Sequence, residues 1–127
     1  MVRNDARATN WTLAAVAAAR VGVGVAMVVA PDRFFRQASG TETLLMRTIG
    51  VRDVALGSGA CTAWATGSPR EFRRWASAGL LSDGADLVVG LGSRSLVGSR
   101  SALIATLSPV PFVAAGVWGL ARGITRP

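Results

Sequence analysis

The chain has 127 residues, enough for one domain, and half of them are hydrophobic although only 6% are aromatic. A soluble domain of this size cannot bury so much apolar sequence, so the composition favours a membrane protein over a soluble four-helix bundle. The net charge of +7 comes from arginine alone, since the sequence contains no lysine. These arginines are spread over every connection and form no single stripe, so no nucleic-acid partner is expected.

Four apolar runs predict the elements of the fold. They occupy residues 11–30, 44–65, 72–92 and 101–121. Each approaches the length of about 20 residues that spans a hydrocarbon core of ~30 Å as a helix. The predicted fold class is therefore all-α, an antiparallel bundle of four transmembrane helices that forms one integral membrane domain over residues 1–127.

The first run has an alternative interpretation as a cleaved signal peptide. Against it, the run is longer than a typical signal core, and Arg20 lies at its centre. No convincing small-residue cleavage site precedes "PDRFF". We therefore assign the run to helix 1, which Pro31 cannot continue.

The connections predict how the later helices are arranged. The polar segment "QASGTET" leads into helix 2, and "TGSPRE" is a turn short enough to make helices 2 and 3 antiparallel neighbours. The segment "SPVP" falls inside helix 4, where its prolines remove backbone donors. We expect a kink or break there.

The distribution of arginine predicts the orientation in the membrane. The N-terminal tail, the second connection and the C-terminal tail hold seven arginines, whereas the first and third connections hold four. An excess of arginine marks cytoplasmic segments, so both termini are predicted to be cytoplasmic in a multi-pass protein of the plasma membrane. Lysine-free, alanine-rich usage is typical of a GC-rich bacterial genome, which suggests a bacterial inner membrane.

Three of the helices carry charged residues far from their ends. These residues are Arg20, Arg52, Asp53, Asp83 and Asp86. Counted from the non-cytoplasmic ends at ~1.5 Å per residue, all five lie roughly 9–15 Å deep, at the level of the "SPVP" break. The spacing of Asp83 and Asp86 places both on one face of helix 3.

We predict that these charges form a buried polar layer and a candidate ligand or proton site, because ionised side chains facing lipid are costly. Three aspartates and two arginines leave one negative charge over. Either Arg47 joins as a third cation, or one aspartate is protonated. The alternative is a charge network that only holds the helices in register.

The segments "ARVGVGVAMVVAPDRF", "RTIGVRDVALGSG" and "WASAGLLSDGADLVVG" together resemble the DUF4267 family of bacterial and fungal membrane proteins, and more loosely the DoxX-like four-helix proteins. The resemblance covers about residues 11–92. It implies a small integral membrane protein of four helices. The family has no assigned function, so the resemblance implies no reaction.

Three function classes remain open from the sequence. The first is an accessory or scaffold protein that binds a second copy of itself or a larger membrane partner, with the GxxxG of "GLARG" (119–123) as a contact face. The second is proton-coupled transport, with the aspartates as carriers. The third is an intramembrane acid–base enzyme, isomerase- or hydrolase-like, acting on an apolar lipid-type substrate with Asp83 and Asp86 as candidate catalytic groups.

The residue types present in the sequence predict no cofactor and no metal. Histidine is absent, and Cys61 is the single cysteine. This composition provides no zinc or haem ligand set, no nucleotide-binding glycine signature and no base to activate a cysteine nucleophile. Membrane lipids are the expected surroundings.

Overall fold

The computed structural model describes residues 2–34, 39–93, 95 and 109–123, and for residues 2–10, 122 and 123 it describes the backbone alone. Within those residues the chain is all-helical, as predicted, and contains no strand. Its elements in these residues are α1 (Val2–Val29), a 3₁₀ turn (Pro31–Arg33), α2 (Gly40–Ala65), α3 (Pro69–Gly92) and α4 (Val110–Gly123).

The helices differ from the predicted ones mainly at their beginnings. The first three begin at Val2, Gly40 and Pro69 instead of 11, 44 and 72. The predicted bounds followed the apolar runs, and an apolar run covers only the part of a helix that meets apolar surroundings. Polar residues before the run can form the first turns of the same helix, so the observed helices begin earlier. Residues 101–108 of the predicted fourth helix lie outside the described residues, and α4 begins directly after Pro109.

The end of α1 and the beginning of α2 follow local sequence rules. The amide of Ala30 still donates to Ala26, and the chain then turns through the 3₁₀ segment that begins at Pro31. Before α2, the Ser39 hydroxyl accepts from the Glu42 amide, and the Ser39 amide donates to Glu42 Oε2 at 2.7 Å. This capping box satisfies two amides that a helix end leaves without partners.

The corner between α2 and α3 is a tight turn of three residues. Gly67 has φ of +67°, a conformation that glycine adopts without strain. The Ser68 amide donates to the carbonyl of Ala63 at 3.0 Å, and the Gly67 amide to that of Trp64 at 3.1 Å, which is a Schellman motif. Pro69 then begins α3, so the turn predicted in "TGSPRE" lies where expected.

Glycines bring α1 and α2 into close contact. A Cβ added to Gly24 would lie 2.6 Å from the Gly50 carbonyl oxygen, and one on Gly50 would lie 2.6 Å from that of Gly24. Further along, a Cβ on Gly57 would lie 2.7 Å from the carbonyl oxygen of Ala17. Gly24 contacts Gly50, and Ala17, earlier in α1, contacts Gly57, later in α2, so the two helices run antiparallel. Their backbones are nearly in contact.

The chain divides into two compact units. We call Ala14–Trp75 the central unit, and Met1–Leu13 with Ala76–Pro127 the terminal unit. In the terminal unit, a Cβ added to Gly119 of α4 would collide with the Leu13 side chain, so this glycine packs within its own chain. That contact uses a residue of the GxxxG segment predicted as a face for a second copy.

In the described part of the chain, alanines make up four of the seven buried hydrophobic residues, whereas many large apolar side chains are exposed. The buried hydrophobic residues are Leu13, Ala14, Ala17, Met46, Ala60, Ala63 and Phe72. Every described α-helix exposes large apolar side chains, for example Val29 of α1, Leu44 of α2, Leu81 of α3 and Val117 of α4. Arg20 and Asp83 are buried instead.

Candidate functional site

Arg20 and Asp53 form a buried ion pair between α1 and α2. Arg20 Nη1 donates to Asp53 Oδ1 at 3.2 Å, and only 8% and 13% of the two side chains are exposed. The sequence placed both residues in the polar layer, and the structure brings them together. Two oppositely charged groups removed from solvent stabilise each other strongly, because few solvent dipoles screen them.

Arg52 completes a three-residue cluster on the same carboxylate oxygen. Its Nη2 and Nε donate to Asp53 Oδ1 at 3.2 and 3.4 Å, and 32% of the side chain is exposed. One oxygen therefore accepts from two guanidinium groups. Among these three side chains the net charge is +1.

The glycines of α2 explain why this cluster forms at this point. Gly50 and Gly57 stand one turn before and one turn after Asp53 on the face that meets α1. Because neither has a side chain, the two helix backbones approach closely and the short aspartate reaches across to Arg20. The carboxylate and its cation are thus positioned by helices, not by a loop.

Asp83 and Asp86 lie on α3, in the terminal unit. Asp83 is 3% exposed and Asp86 is half-buried, and both make interactions of their own. Gly79 and Gly90, which share their face at helical spacing, are buried and half-buried. The layer joining all five charged residues stays a prediction. Arg47, considered as a third cation, has an exposed side chain.

An apolar groove of about 660 Å³ runs along the opposite face of α3. The lining residues of α3 are Ser77, Leu80, Leu81, Gly84, Ala85, Val88 and Val89, and α4 adds Val117 and Leu120. Neither Asp83 nor Asp86 is among the residues that line it. Sequence analysis missed this groove, although apolar residues recurring every three to four positions were a usable signal.

Sequence analysis also missed the packing of Trp75 at the corner of α2 and α3. A Cβ added to Gly59 would lie 2.5 Å from two carbons of the Trp75 indole, so the ring lies directly on the α2 backbone. The pairing of a glycine on one helix with a tryptophan on the next depends on the register of the two helices. The turn at Gly67 determines which residues of α2 and α3 face each other. Sequence patterns predict where this turn lies but not its backbone conformation.

One helix of the described chain, at Trp11–Val29 near the N-terminus, is long and apolar enough to cross a membrane. The apolar part of α4, Val110–Ala121, is shorter. In α2 the charges of Arg52 and Asp53 lower the hydropathy. Among the described residues no three histidine, cysteine, aspartate or glutamate side chains are grouped as metal ligands would be.

Comparison with known proteins adds no assignment. The sequence matches no model of a protein family, no curated protein and no solved structure. The resemblance to DUF4267 therefore stays a prediction from the quoted motifs, and the functional argument depends on this chain's own geometry.

Proposed function

We propose that this chain is a multi-pass protein of the bacterial inner membrane, and that it serves as an accessory or scaffold protein for a membrane partner. Its four helices would cross the bilayer in alternating directions with both termini in the cytoplasm. The Arg20–Arg52–Asp53 cluster would hold α1 and α2 in register inside the bilayer.

The observation that carries the proposal is the reversed polarity of α3. Its buried face contains Asp83, 3% exposed, whereas Leu81 and Val88 on the other side are 76% and 69% exposed. In water this arrangement would hide a charge and expose apolar side chains, which is unfavourable twice over. In a bilayer the apolar face meets lipid and the carboxylate is kept from it.

The four tryptophans support alternating crossings. Trp11 begins the apolar part of α1, Trp64 lies in the last turn of α2, Trp75 near the beginning of α3 and Trp118 towards the end of α4. In an alternating topology these four ends face the same side. Tryptophan is enriched at membrane–water interfaces, and all four side chains are exposed.

One hydroxyl group on the exposed surface of α2 is also satisfied within its own helix. The exposed Thr48 donates to the Leu44 carbonyl at 3.0 Å, one turn earlier. A hydroxyl group that bonds its own helix needs no water. Such a bond suits a surface covered by hydrocarbon.

An accessory role fits the site better than catalysis or transport. The Asp53 carboxylate is occupied by two arginines that tie helices together. The apolar groove on α3 does not reach Asp83 or Asp86. In this proposal the Asp53 carboxylate has a structural task, which is to tie α1 and α2 together.

The thermal stability of Asp53→Asn, Asp83→Asn and Asp86→Asn variants in detergent tests this role. Asparagine keeps the shape and removes the charge. Between about pH 5 and 8 we expect all three to unfold at lower temperature than the parent, because breaking a buried charged interaction is costly. Asp32→Asn, on the exposed 3₁₀ turn, is the matched control and should change little.

A variant as stable as the parent, or more stable, would contradict a purely structural role. The aspartate concerned would then be held in a state that costs stability, as groups in functional sites often are. That outcome would favour the acid–base or transport hypothesis, with the residue identified directly.

A further inference from the structure

The α2–α3 corner, residues 64–75, carries a compact positive charge beside two indoles. Three arginines and one glutamate within it leave a net charge of +2. Arg74 Nη1 contacts Glu71 Oε1 at 2.8 Å, so these two charges offset each other. The other two arginines, Arg70 and Arg73, are both exposed on the first turns of α3, and Arg73 also makes an interaction of its own.

The backbone adds to this charge. The 24-residue α3 begins at Pro69, and the aligned peptide dipoles give the N-terminal end of a helix a partial positive charge. The Schellman turn through Gly67 and Ser68 fixes the direction in which this end points. An anion placed near Arg70 would meet both the guanidinium and the helix end.

The indoles indicate what kind of anion the corner meets. Trp64 and Trp75 are each 37% exposed, and Trp75 is held flat on Gly59. Trp75 follows Arg70 by five residues, which is ~7.5 Å along the helix axis. In a bilayer, the arginine would lie at the depth of the lipid phosphates, and the indole would lie deeper, where the acyl chains begin.

We propose that the α2–α3 corner binds the phosphate headgroups of anionic membrane lipids through Arg70 and Arg73, with Trp64 and Trp75 in the headgroup–acyl boundary. The proposal rests on the proposed membrane location. It adds a lipid class and the residues that select it. The corner lies wholly in the central unit, and the buried Arg20–Asp53 pair takes no part.

Fluorescence quenching in reconstituted vesicles tests the proposal. Trp11→Phe and Trp118→Phe leave Trp64 and Trp75 as reporters in the full chain. The vesicles contain phosphatidylcholine and phosphatidylglycerol in equal parts, and one of the two carries brominated acyl chains. We expect brominated phosphatidylglycerol to quench more strongly than brominated phosphatidylcholine, and added salt to weaken the preference by screening.

Substitutions identify the groups responsible. Arg70→Gln and Arg73→Gln should each lower the preference for phosphatidylglycerol about five-fold, the effect expected for one basic residue at an anionic surface. Arg47→Gln is the matched control, since this exposed arginine lies nearer the other end of α2. It should leave the quenching ratio unchanged.

Two results would overturn the headgroup proposal directly: equal quenching by the two lipids, and an unchanged quenching ratio in the Arg70→Gln/Arg73→Gln double variant. A third is loss of the lipid preference when glycerol phosphate is added at low concentration. That result would assign the corner to a soluble phosphate. If the protein fails to float with vesicles of phosphatidylcholine alone, the proposed membrane location itself is wrong. These failures are therefore distinguishable.

Discussion

At the scale of single residues, the adjacent Arg52 and Asp53 show how much of the site the sequence could predict. Their depth and spacing predicted that Asp53 pairs with an arginine inside the protein, and the contact with Arg20 agrees with it. The sharing of one carboxylate oxygen could not be predicted. Neighbouring helical residues point ~100° apart, and Arg52 reaches Asp53 only because its long side chain bends back.

The two arginines of the cluster should differ in their effect on stability. Arg20→Gln leaves a buried carboxylate with one cation fewer and should lower the free energy of unfolding by about 3 kcal/mol. Arg52 is one-third exposed, so Arg52→Gln should cost about 1 kcal/mol. Chemical unfolding in mild detergent measures both, with the exposed Arg47→Gln as control. Equal losses would mean that the burial of Arg20 does not set the strength of the pair.

Glu42 should make the beginning of α2 sensitive to acid. The Ser39 amide, and then the Ser39 hydroxyl, stabilise its carboxylate and hold the pKa of Glu42 below its usual value. A carboxyl group with a lowered folded-state pKa stabilises the fold above its ordinary pKa, and this contribution disappears as the pH falls through the lowered value.

The Glu42→Gln variant measures that contribution. It keeps an oxygen that can accept from Ser39 but cannot titrate. The parent should therefore lose its advantage in unfolding temperature over the variant as the pH falls from neutral to below about 4. A constant difference over this range would show that the carboxylate charge does not support the capping box.

At the scale of elements, composition predicted the helices, and Pro31 and the turn in "TGSPRE" predicted two of their boundaries. The capping box, Pro31 and the glycine turn before Pro69 are short signals that act within one or two turns. Contacts between helices were harder to predict, since many glycines occur and only some face a neighbour. Gly24 faces the Gly50 backbone, whereas Gly22, two residues earlier, has nothing within 4 Å.

These two glycines of α1 provide a matched test of the helix contact. In Gly24→Ala the new methyl group would collide with backbone atoms of Gly50 and Val54, which cannot rotate away. We expect α1 and α2 to separate and the free energy of unfolding to fall by about 1–3 kcal/mol.

The control, Gly22→Ala, adds the same methyl group into open space. It should raise stability by up to about 1 kcal/mol, because alanine favours a helix more than glycine does. Unfolding of both variants under one set of conditions gives the comparison. If both variants gain stability, the close α1–α2 contact is absent in the folded protein.

At the scale of the whole molecule, the all-helical class followed directly from four apolar runs separated by polar connections. The division into a central and a terminal unit did not, because it depends on contacts between residues distant in sequence. The GxxxG of α4 illustrates the same difficulty. Its first glycine looked available for a second copy, but it packs against Leu13.

Single-cysteine labelling tests the proposed topology. In a Cys61→Ser background, Asp32→Cys marks the first connection and Thr66→Cys the α2–α3 corner, both exposed. An impermeant maleimide should label Asp32→Cys in intact spheroplasts, and Thr66→Cys only after the membrane is opened. Labelling of both from one side would contradict alternating crossings, and release of the protein by alkaline carbonate would contradict membrane integration.

The ion pair between Arg20 and Asp53 also bears on biogenesis. In the proposed topology α2 carries two charges side by side into the bilayer, where a charge alone at the centre costs about 2.5–3.5 kcal/mol on insertion. With α1 already present, Arg20 meets the carboxylate and part of that cost is removed. We therefore expect the translocon to release α1 and α2 into lipid together as a hairpin. On this expectation α1 remains in the translocon until α2 has been synthesised.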